Sequence, residues 1–272
     1  MAKGTRGGKR VSTAGGATVN PTAATLNANA NVNPQAQDQQ QAKVDDTQPV
    51  QAMSASYQQF MALDDDGKAD VITNMIAQPT PDFLSDSALQ RLTYNLGLND
   101  KPQLVDDKVL DSMNGTEIFR TVNSVYDGKN DLNYTAVEIG KQLQKGSMTR
   151  YSDSGGSVYG RGIYFANSYG SSVGYGRTNG NVKSTAVVRA KLNGNAKVAK
   201  YDTIYYDCIV EMNNKNTKLG RALKKCDADS AVSIYALAKG YNVLETWNGY
   251  YNVLNRNAIT MSNSIKPKGR NW

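Results

Sequence analysis

The segment 160–165, followed by Ser172 and Tyr175, has the residue types and spacing best suited to chemistry in this chain. Its two glycines flank an arginine, and without Cβ atoms they let the backbone approach a flat ligand closely. In a strand, Tyr164 and Phe165 point to opposite sides, so one ring can face a ligand while the other anchors in the core. Ser172 and Tyr175 follow on a turn or short helix and add a hydroxyl and a second ring. The pattern predicts a site that holds a flat ligand; a Gly/Tyr-rich hairpin without a ligand is the alternative.

The wider stretch Gly156-Ser157-Val158-Tyr159-Gly160-Arg161-Gly162-Ile163-Tyr164-Phe165-Ala166 resembles the nicotinamide-binding core of the ADP-ribosyltransferases. The poly(ADP-ribose) polymerase branch of that family has the pattern Gly-x-x-Phe/Tyr-Gly-Lys/Arg-Gly-Ile-Tyr-Phe-Ala, then a serine and a tyrosine at the spacings found here. The resemblance implies that NAD is the substrate. Nicotinamide would lie against the Gly162 backbone, between Tyr164 and Tyr175, with Ser172 bonding to its carboxamide.

A second element of the resemblance lies upstream, in the predicted strand that contains Arg120 and Thr121. In the superfamily this strand ends in His-Gly or in an arginine that braces the NAD cleft. Arg120 stands at that position, and its planar guanidinium donates hydrogen bonds in pairs, which suits a phosphate-bearing ligand. Thr121 takes the place of the family's glycine, whose backbone bonds to the nicotinamide amide. A plain surface arginine on a strand edge is the alternative interpretation of Arg120.

The third element is the segment 240–255, which resembles the closing hairpin of the family. There a glutamate commonly precedes a Tyr-Val/Ile-Val run and stabilises the positive charge that develops as nicotinamide leaves. Aligned on Asn248 and Tyr250, this glutamate position holds Gly249. Glu245, on the preceding strand, is the nearest carboxylate, and a hairpin hinged at Asn248-Gly249 would bring it towards the cleft. Glu245 is therefore the predicted catalytic acid, with a surface carboxylate as the alternative.

Taken together, the resemblance implies an NAD-dependent ADP-ribosyltransferase that breaks the nicotinamide–ribose bond and transfers ADP-ribose to a host protein or nucleic acid. Arg120, Tyr164 and Glu245 are its predicted catalytic residues. The absence of histidine at the first position favours toxin-like or phage-encoded mono-transferases. The alternative is an inactive protein with the same fold that has a structural or ligand-binding role, for example in a virion, and the missing glutamate at Gly249 favours it.

The amino-acid composition excludes several kinds of catalytic and metal site. The sequence contains no histidine, which excludes histidine general acid–base catalysis, a Ser-His-Asp triad and any histidine-containing metal site. Its two cysteines lack the spacing of metal ligands, and a reduced compartment is the simpler expectation. The run Asp64-Asp65-Asp66 is not continued by a calcium-loop pattern and is expected to begin a helix. No metal cofactor is predicted.

Charge and hydropathy divide the chain. The chain has a net charge of +7 that is unevenly distributed: residues 51–130 carry 6 Lys/Arg and 12 Asp/Glu, whereas residues 131–272 carry 20 Lys/Arg and 9 Asp/Glu. Residues 1–50 are rich in Asn, Gln and Ala and begin with basic residues, which predicts a disordered tail that contacts nucleic acid or virion proteins, or simply aids solubility. The chain shows no secretory signal and no apolar run long enough for a membrane, so a cytoplasmic or virion location is expected.

The elements that must position these residues follow from periodicity and turn signals. Residues 51–114 are predicted to form a helical preface, and residues 115–272 one ADP-ribosyltransferase-like domain with a split, mixed sheet. The predicted fold class is α+β, because strands and helices do not alternate regularly. The predicted strands are 116–122, 162–166, 184–192, 196–199, 241–246, 250–254 and 258–261. Helices are predicted at 135–144, 203–212 and 228–239, with others in the preface, the last of these near 105–113.

Overall fold

An eight-stranded mixed sheet forms the centre of the protein. A computed structural model describes residues 54–79, 87–98, 101–127, 132–146, 159–175 and 184–268. In that part of the chain the strands are β1 (Gln103–Val105), β2 (Glu117–Asn123), β3 (Val125–Asp127), β4 (Leu132–Tyr134), β5 (Ile163–Ala166), β6 (Thr185–Leu192), β7 (Val198–Lys200), β8 (Val243–Glu245), β9 (Tyr250–Val253) and β10 (Ile259–Pro267). The helices are α1 (Ala55–Ala62), α2 (Asp65–Ala77), α3 (Ala88–Asn95), α4 (Asp107–Ser112), α5 (Ala136–Gln144), α6 (Tyr169–Tyr175), α7 (Tyr201–Asn213), α8 (Lys218–Leu223) and α9 (Ala228–Ala238).

The strands of the large sheet lie in the order β1-β10-β6-β2-β5-β9-β8-β7, and β3 pairs with β4 in a separate hairpin. Only the outermost pairs, β1 with β10 and β7 with β8, are parallel, and the pairs between them are antiparallel. The structure confirms the coarser part of the prediction, which is a fold of helices and strands built on a mixed sheet. The more specific prediction of an ADP-ribosyltransferase fold belongs with the proposed function below.

Two hydrophobic clusters cover the two faces of the sheet. On one face, α5 packs Ile139 and Leu143 against strand residues such as Ile118, Phe165 and Val253. On the other face, Leu244 and Leu254 join a cluster built from α1, α2 and α3 together with α7, α8 and α9. Side chains that alternate along a strand therefore face different sides of the sheet: Ile163 and Phe165 of β5 lie in the first cluster, whereas Tyr164 points to the other face.

Side-chain caps set where several helices begin. The Asp64 carboxylate accepts the Gly67 N–H at 2.7 Å at the start of α2, which confirms the expectation for the triple aspartate. Thr135 and Glu138 form a capping box at α5. At α9, Asp227 accepts the Ser230 N–H at 3.0 Å. These caps place helix ends within two residues of the predicted positions.

All of the predicted strands and the three helices predicted after residue 115 occur, with ends shifted by a few residues. The largest shift is in β10, which runs six residues beyond the predicted 258–261 strand. The helix predicted near 105–113 is α4. Four short elements were not predicted, namely β1, β3, β4 and α8. The predicted disordered tail, 1–50, lies outside the described residues.

The described residues all fall within one compact unit. Residues on both sides of position 114 share its cores, since Leu92 of α3 and Leu237 of α9 belong to the same cluster. The division between a helical preface and a second domain stays a prediction. None of the helices in the described part of the chain combines the length and the apolar character needed to cross a membrane.

Candidate functional site

The predicted site lies where the central strands β2 and β5 separate. The two strands pair only at Phe119 and Ala166, whereas β2 pairs with β6 along its whole length and β5 pairs with β9 along all four of its residues. Continuing the antiparallel register past this pair would set Thr121 opposite Tyr164. The backbone ladder ends before that point, so the residues predicted to bind ligand border a gap in the sheet.

The side chain of Arg120 extends from β2 across this gap towards β5. Its side chain is 8% exposed, and its Nη1 atom donates to the carbonyl oxygen of Tyr164 at 2.9 Å. A carbonyl at a strand separation has lost its ladder partner, and the guanidinium supplies a donor in its place. Arg120 therefore bridges β2 and β5, and the alternative interpretation, a plain surface arginine on a strand edge, is wrong.

Thr121 of β2 and Ser172 of α6 contact each other beside the gap, on the face of the sheet that carries Tyr164. The Thr121 Oγ1 and Ser172 Oγ atoms are 2.9 Å apart, which ties β2 to the short helix α6. Ser172 is buried, at 3% exposure. One turn earlier on α6, the Tyr169 ring packs edge-on against Phe119 with ring centroids 6.2 Å apart. Tyr175 is the last residue of α6. Two residues predicted from separate motifs, Thr121 and Ser172, are thus in direct contact.

Tyr164 is half-buried on the same face of the sheet as Thr121, and Phe165 is buried in the opposite core, as the alternation predicted. The Tyr164 hydroxyl donates to the Gly160 carbonyl and accepts the Tyr159 N–H at 3.2 Å. The ring thereby closes the preceding loop onto its own strand. This hydroxyl is engaged within the protein, which leaves the ring face as the part of Tyr164 that can contact a ligand.

Packing within the protein explains the glycines of the motif. At Gly162, with φ +153°, an added Cβ would lie 1.8 Å from the Oδ1 atom of Asn252. At Gly160, with φ +76°, it would lie 2.7 Å from the Ser233 hydroxyl. Both positions therefore require glycine for the fold itself, whereas the sequence interpretation attributed them to a ligand. The ligand-binding role of Gly162 stays a prediction.

Gly249 lies directly beside this site. Its carbonyl accepts the Asn167 N–H at 3.1 Å, just after β5 ends, and its φ is +80°. A Cβ there would come within 2.4 Å of the Asn167 amide. The turn between β8 and β9 thus brings the family's glutamate position next to the gap, but a side chain at this position would need the surrounding backbone and Asn167 to change.

Glu245 is placed elsewhere. It pairs with Tyr251 on β9, which in turn pairs with Phe165, so its side chain lies on the face opposite Tyr164. Two strand spacings of ~4.8 Å put β8 roughly 10 Å from β5. The Glu245 carboxylate forms an ion pair with Lys200 of the edge strand β7 at 2.7 Å. Burial, with a contribution from this carboxylate, raises the pKa of Tyr251. The structure does not bring Glu245 together with Tyr164.

Asn252 is a site residue that the sequence reasoning missed. It is fully buried on β9 opposite Tyr164, and its Nδ2 atom lies 3.0–3.3 Å from the carbonyl oxygens of Tyr159, Gly160 and Arg161. One side chain therefore holds the whole glycine-containing loop. The available signal was weak, because an asparagine in an apolar strand stands out only once its cross-strand neighbour is known.

Asp227 joins this loop to the helices. Its carboxylate accepts the backbone N–H of Ala88 at 3.0 Å and forms an ion pair with the Nε atom of Arg161 at 3.3 Å, in addition to capping α9. Burial alone would raise its pKa, but the hydrogen bonds from Ala88 and Ser230 and the charge of Arg161 outweigh burial and lower it. The arginine of the motif is thus engaged by a structural carboxylate.

A separate cleft of about 510 Å³ lies at the β7 edge of the sheet, between β7, α7 and α9. Its lining includes Lys200, Asp207, Tyr235 and Lys239, and none of the residues predicted to bind NAD. Lys200 and Lys239 are paired with Glu245 and Asp65. We place the candidate site at the gap between β2 and β5, because the chemistry-bearing residues converge there. Within the described ranges no group of three or more acidic or cysteine residues is arranged to hold a metal ion.

Comparison with known proteins finds no matching family model, no matching curated protein and no matching solved structure. The functional argument therefore depends on the residues of this chain and their geometry.

Proposed function

We propose that this protein is an NAD-dependent ADP-ribosyltransferase whose cleft is the gap between β2 and β5. The observation that carries the proposal is the convergence of Arg120, Thr121, Tyr164 and Ser172. These residues come from two strands and a helix, and the sequence resemblance identifies the same four residues without any structural information. Their proximity supports a split-sheet cleft of the kind the family uses.

In this cleft the nicotinamide ring stacks on the exposed face of Tyr164, and Ser172 with the Thr121 backbone bonds to its carboxamide. Arg120, braced against the Tyr164 carbonyl, contributes a fixed positive charge beside the gap, which favours the pyrophosphate. The C1′–N bond breaks, and nicotinamide leaves with the bonding electron pair. A nucleophile of the acceptor then bonds to C1′ and loses its proton. The cationic centre that forms in between needs a nearby carboxylate.

A second candidate function is NAD binding without turnover. The specific observation in its favour is that Gly249 occupies the family's glutamate position while Glu245 lies on the opposite face in an ion pair with Lys200. A cleft with the binding residues and no carboxylate at the reacting carbon would hold NAD as a ligand. Both candidates share the cleft and differ only in catalysis.

The first experiment measures NAD binding by calorimetry and nicotinamide release by chromatography, with and without host lysate, on the full chain. Ser172→Ala removes the buried hydroxyl, and loss of one hydrogen bond worth about 0.5–1.5 kcal/mol should weaken NAD binding roughly 2- to 13-fold. Ser171→Ala is the matched control, because Ser171 is exposed on the same helix and bonds to Ser168 at 2.8 Å. Its NAD affinity should equal that of the wild type.

Three outcomes separate the candidates. Nicotinamide release that is lost in Ser172→Ala supports the transferase, and Glu245→Gln then tests whether that carboxylate acts despite its position. NAD binding without release, with or without lysate, supports the second candidate. No binding of NAD by folded protein refutes both.

A further inference from the structure

Helix α7 presents an apolar strip to solvent. Tyr205, Tyr206, Ile209 and Val210 are 39%, 66%, 36% and 70% exposed, and their spacing places them side by side along one side of the helix. We call these four residues the α7 face. They are four of the eight large hydrophobic side chains that are exposed in the described part of the chain.

Folding does not account for the composition of the α7 face. The helix is anchored by Ile204 and Cys208, which are buried on its inner side at 3% and 0% exposure. A surface helix usually carries polar residues opposite such an anchor, and a contiguous exposed apolar patch marks an interaction site. Tyrosine is also among the residues most enriched where proteins bind proteins.

Charge around the face selects the kind of partner. Helix α7 carries Asp202, Asp207 and Glu211 and no lysine or arginine, in a half of the protein that is otherwise basic. In the described part of the chain these three carboxylates form no ion pair. Negative charge repels phosphate groups and anionic lipid, so nucleic acid and membrane surfaces are disfavoured. A second copy docked face to face would bring like charges together.

We propose that the α7 face is a docking surface for a partner protein segment that presents apolar side chains flanked by lysine or arginine. The apolar side chains cover the exposed rings and aliphatics, and the basic side chains pair with the carboxylates of α7. The proposal does not depend on NAD chemistry.

Two features extend the surface beyond the helix. On one flank, Asp207 and Thr203 line the 510 Å³ cleft, which gives a docked segment a concave site for an anchoring side chain. Towards the start of α7, Tyr205 stacks on Tyr201 at 5.8 Å, and Tyr201 meets Tyr159 edge-on at 5.3 Å. Tyr159 is the residue whose N–H bonds to Tyr164, so the docking surface adjoins the candidate site.

The test uses the full chain and three short labelled helical peptides of equal length. The Leu/Lys peptide carries leucine on one face flanked by lysine, the Leu/Glu peptide replaces the lysines by glutamate, and the Ser/Lys peptide replaces the leucines by serine. Binding is followed by fluorescence anisotropy at physiological salt. The Leu/Lys peptide should bind, and the other two should bind at least ~10-fold more weakly, because each lacks one half of the complementarity. The double variant Tyr206→Ser/Val210→Ser should lose ~10-fold or more in affinity for the Leu/Lys peptide.

The control is Tyr94→Ser/Leu63→Ser, which removes two exposed apolar side chains of 47% and 39% exposure that lie outside α7. It should bind as the wild type does. A further variant, Asp202→Asn/Asp207→Asn, should weaken binding and reduce its salt dependence.

Each other result overturns the proposal. Equal binding by wild type and Tyr206→Ser/Val210→Ser places the peptide elsewhere. Equal binding of the Leu/Glu peptide removes the charge argument. Binding of a single-stranded oligonucleotide or of anionic phosphatidylserine vesicles that the double variant abolishes assigns the face to those ligands. Self-association in sedimentation that the double variant abolishes assigns it to a second copy.

Discussion

Replacing Gly162 by alanine tests the packing that holds the candidate site. The new Cβ would lie 1.8 Å from Asn252 Oδ1 and 3.0 Å from Leu254 Cδ2. Overpacking of this kind costs about 1–3 kcal/mol. The backbone conformation at φ +153° adds a strain of about 1–3 kcal/mol for a residue with a side chain. Part of the overpacking cost is relieved if Asn252 moves, whereas the backbone strain is not, so we expect a loss of about 2–5 kcal/mol in the free energy of unfolding.

Urea unfolding followed by circular dichroism measures this loss, and thermal unfolding provides a check. At roughly 2–4 °C per kcal/mol for a domain of this size, the melting temperature should fall by about 4–20 °C. Gly170→Ala is the matched control, because Gly170 lies in α6 and a Cβ there meets nothing within 4 Å. That substitution should be neutral or stabilising by less than ~1 kcal/mol.

A double-mutant cycle identifies the cause. If the clash with Asn252 produces the effect, then Asn252→Ala should destabilise the Gly162→Ala protein less than it destabilises the wild type. The two losses of unfolding free energy should differ by at least ~1 kcal/mol. A Gly162→Ala protein within ~0.5 kcal/mol of wild type would refute the reasoning. So would additivity of the two substitutions.

Two further predictions concern ionisable groups. Burial raises the pKa of Cys208 and of Cys226 to about 12. At mildly alkaline pH both thiols of the native protein should therefore react with a disulfide reagent on the order of a hundredfold more slowly than they do in denaturant. Equal rates would show that the thiols are accessible. The lowered pKa of Asp227 stabilises the fold above the ordinary aspartate pKa of ~3.9, and this stabilisation is lost as the pH falls through the lower, folded-state value. The difference in unfolding free energy between wild type and Asp227→Asn should therefore be largest near neutral pH and narrow below ~3.9 in denaturant titrations, and a difference independent of pH would contradict this assignment.

Local signals made much of the fold predictable. The helix start at the triple aspartate, the helix predicted over 135–144 and the alternation of Tyr164 and Phe165 depend on residues close in sequence, and the structure has each of them as expected. The strands β1 and β3 are three residues long and carry too few residues for a period to appear. Their pairing partners are set by tertiary contacts that no short window contains.

Some residues of the candidate site could likewise be predicted from the sequence, and others could not. The resemblance selected Arg120, Thr121, Tyr164 and Ser172, and they are close together because β2 and β5 are neighbours and α6, which carries Ser172, follows β5. The position of Glu245 could not be inferred, since it depends on β9 being inserted between β8 and β5. Asn252 was missed for a related reason, because its role comes from a loop more than ninety residues earlier in the chain.

The single residue pair between β2 and β5 has a consequence for how the sheet moves. The order of the strands divides it into two four-stranded halves, β1-β10-β6-β2 and β5-β9-β8-β7. On one face a shared apolar core spans both halves, whereas on the other face the Thr121–Ser172 contact links β2 to α6, the helix that follows β5. Rotation of the halves about that core changes the width of the gap without breaking a β-ladder longer than one pair. Amide hydrogens in β6, which is paired on both sides, should exchange with solvent far more slowly than those beside the gap, and the slowest collective motion of the domain should be this rotation.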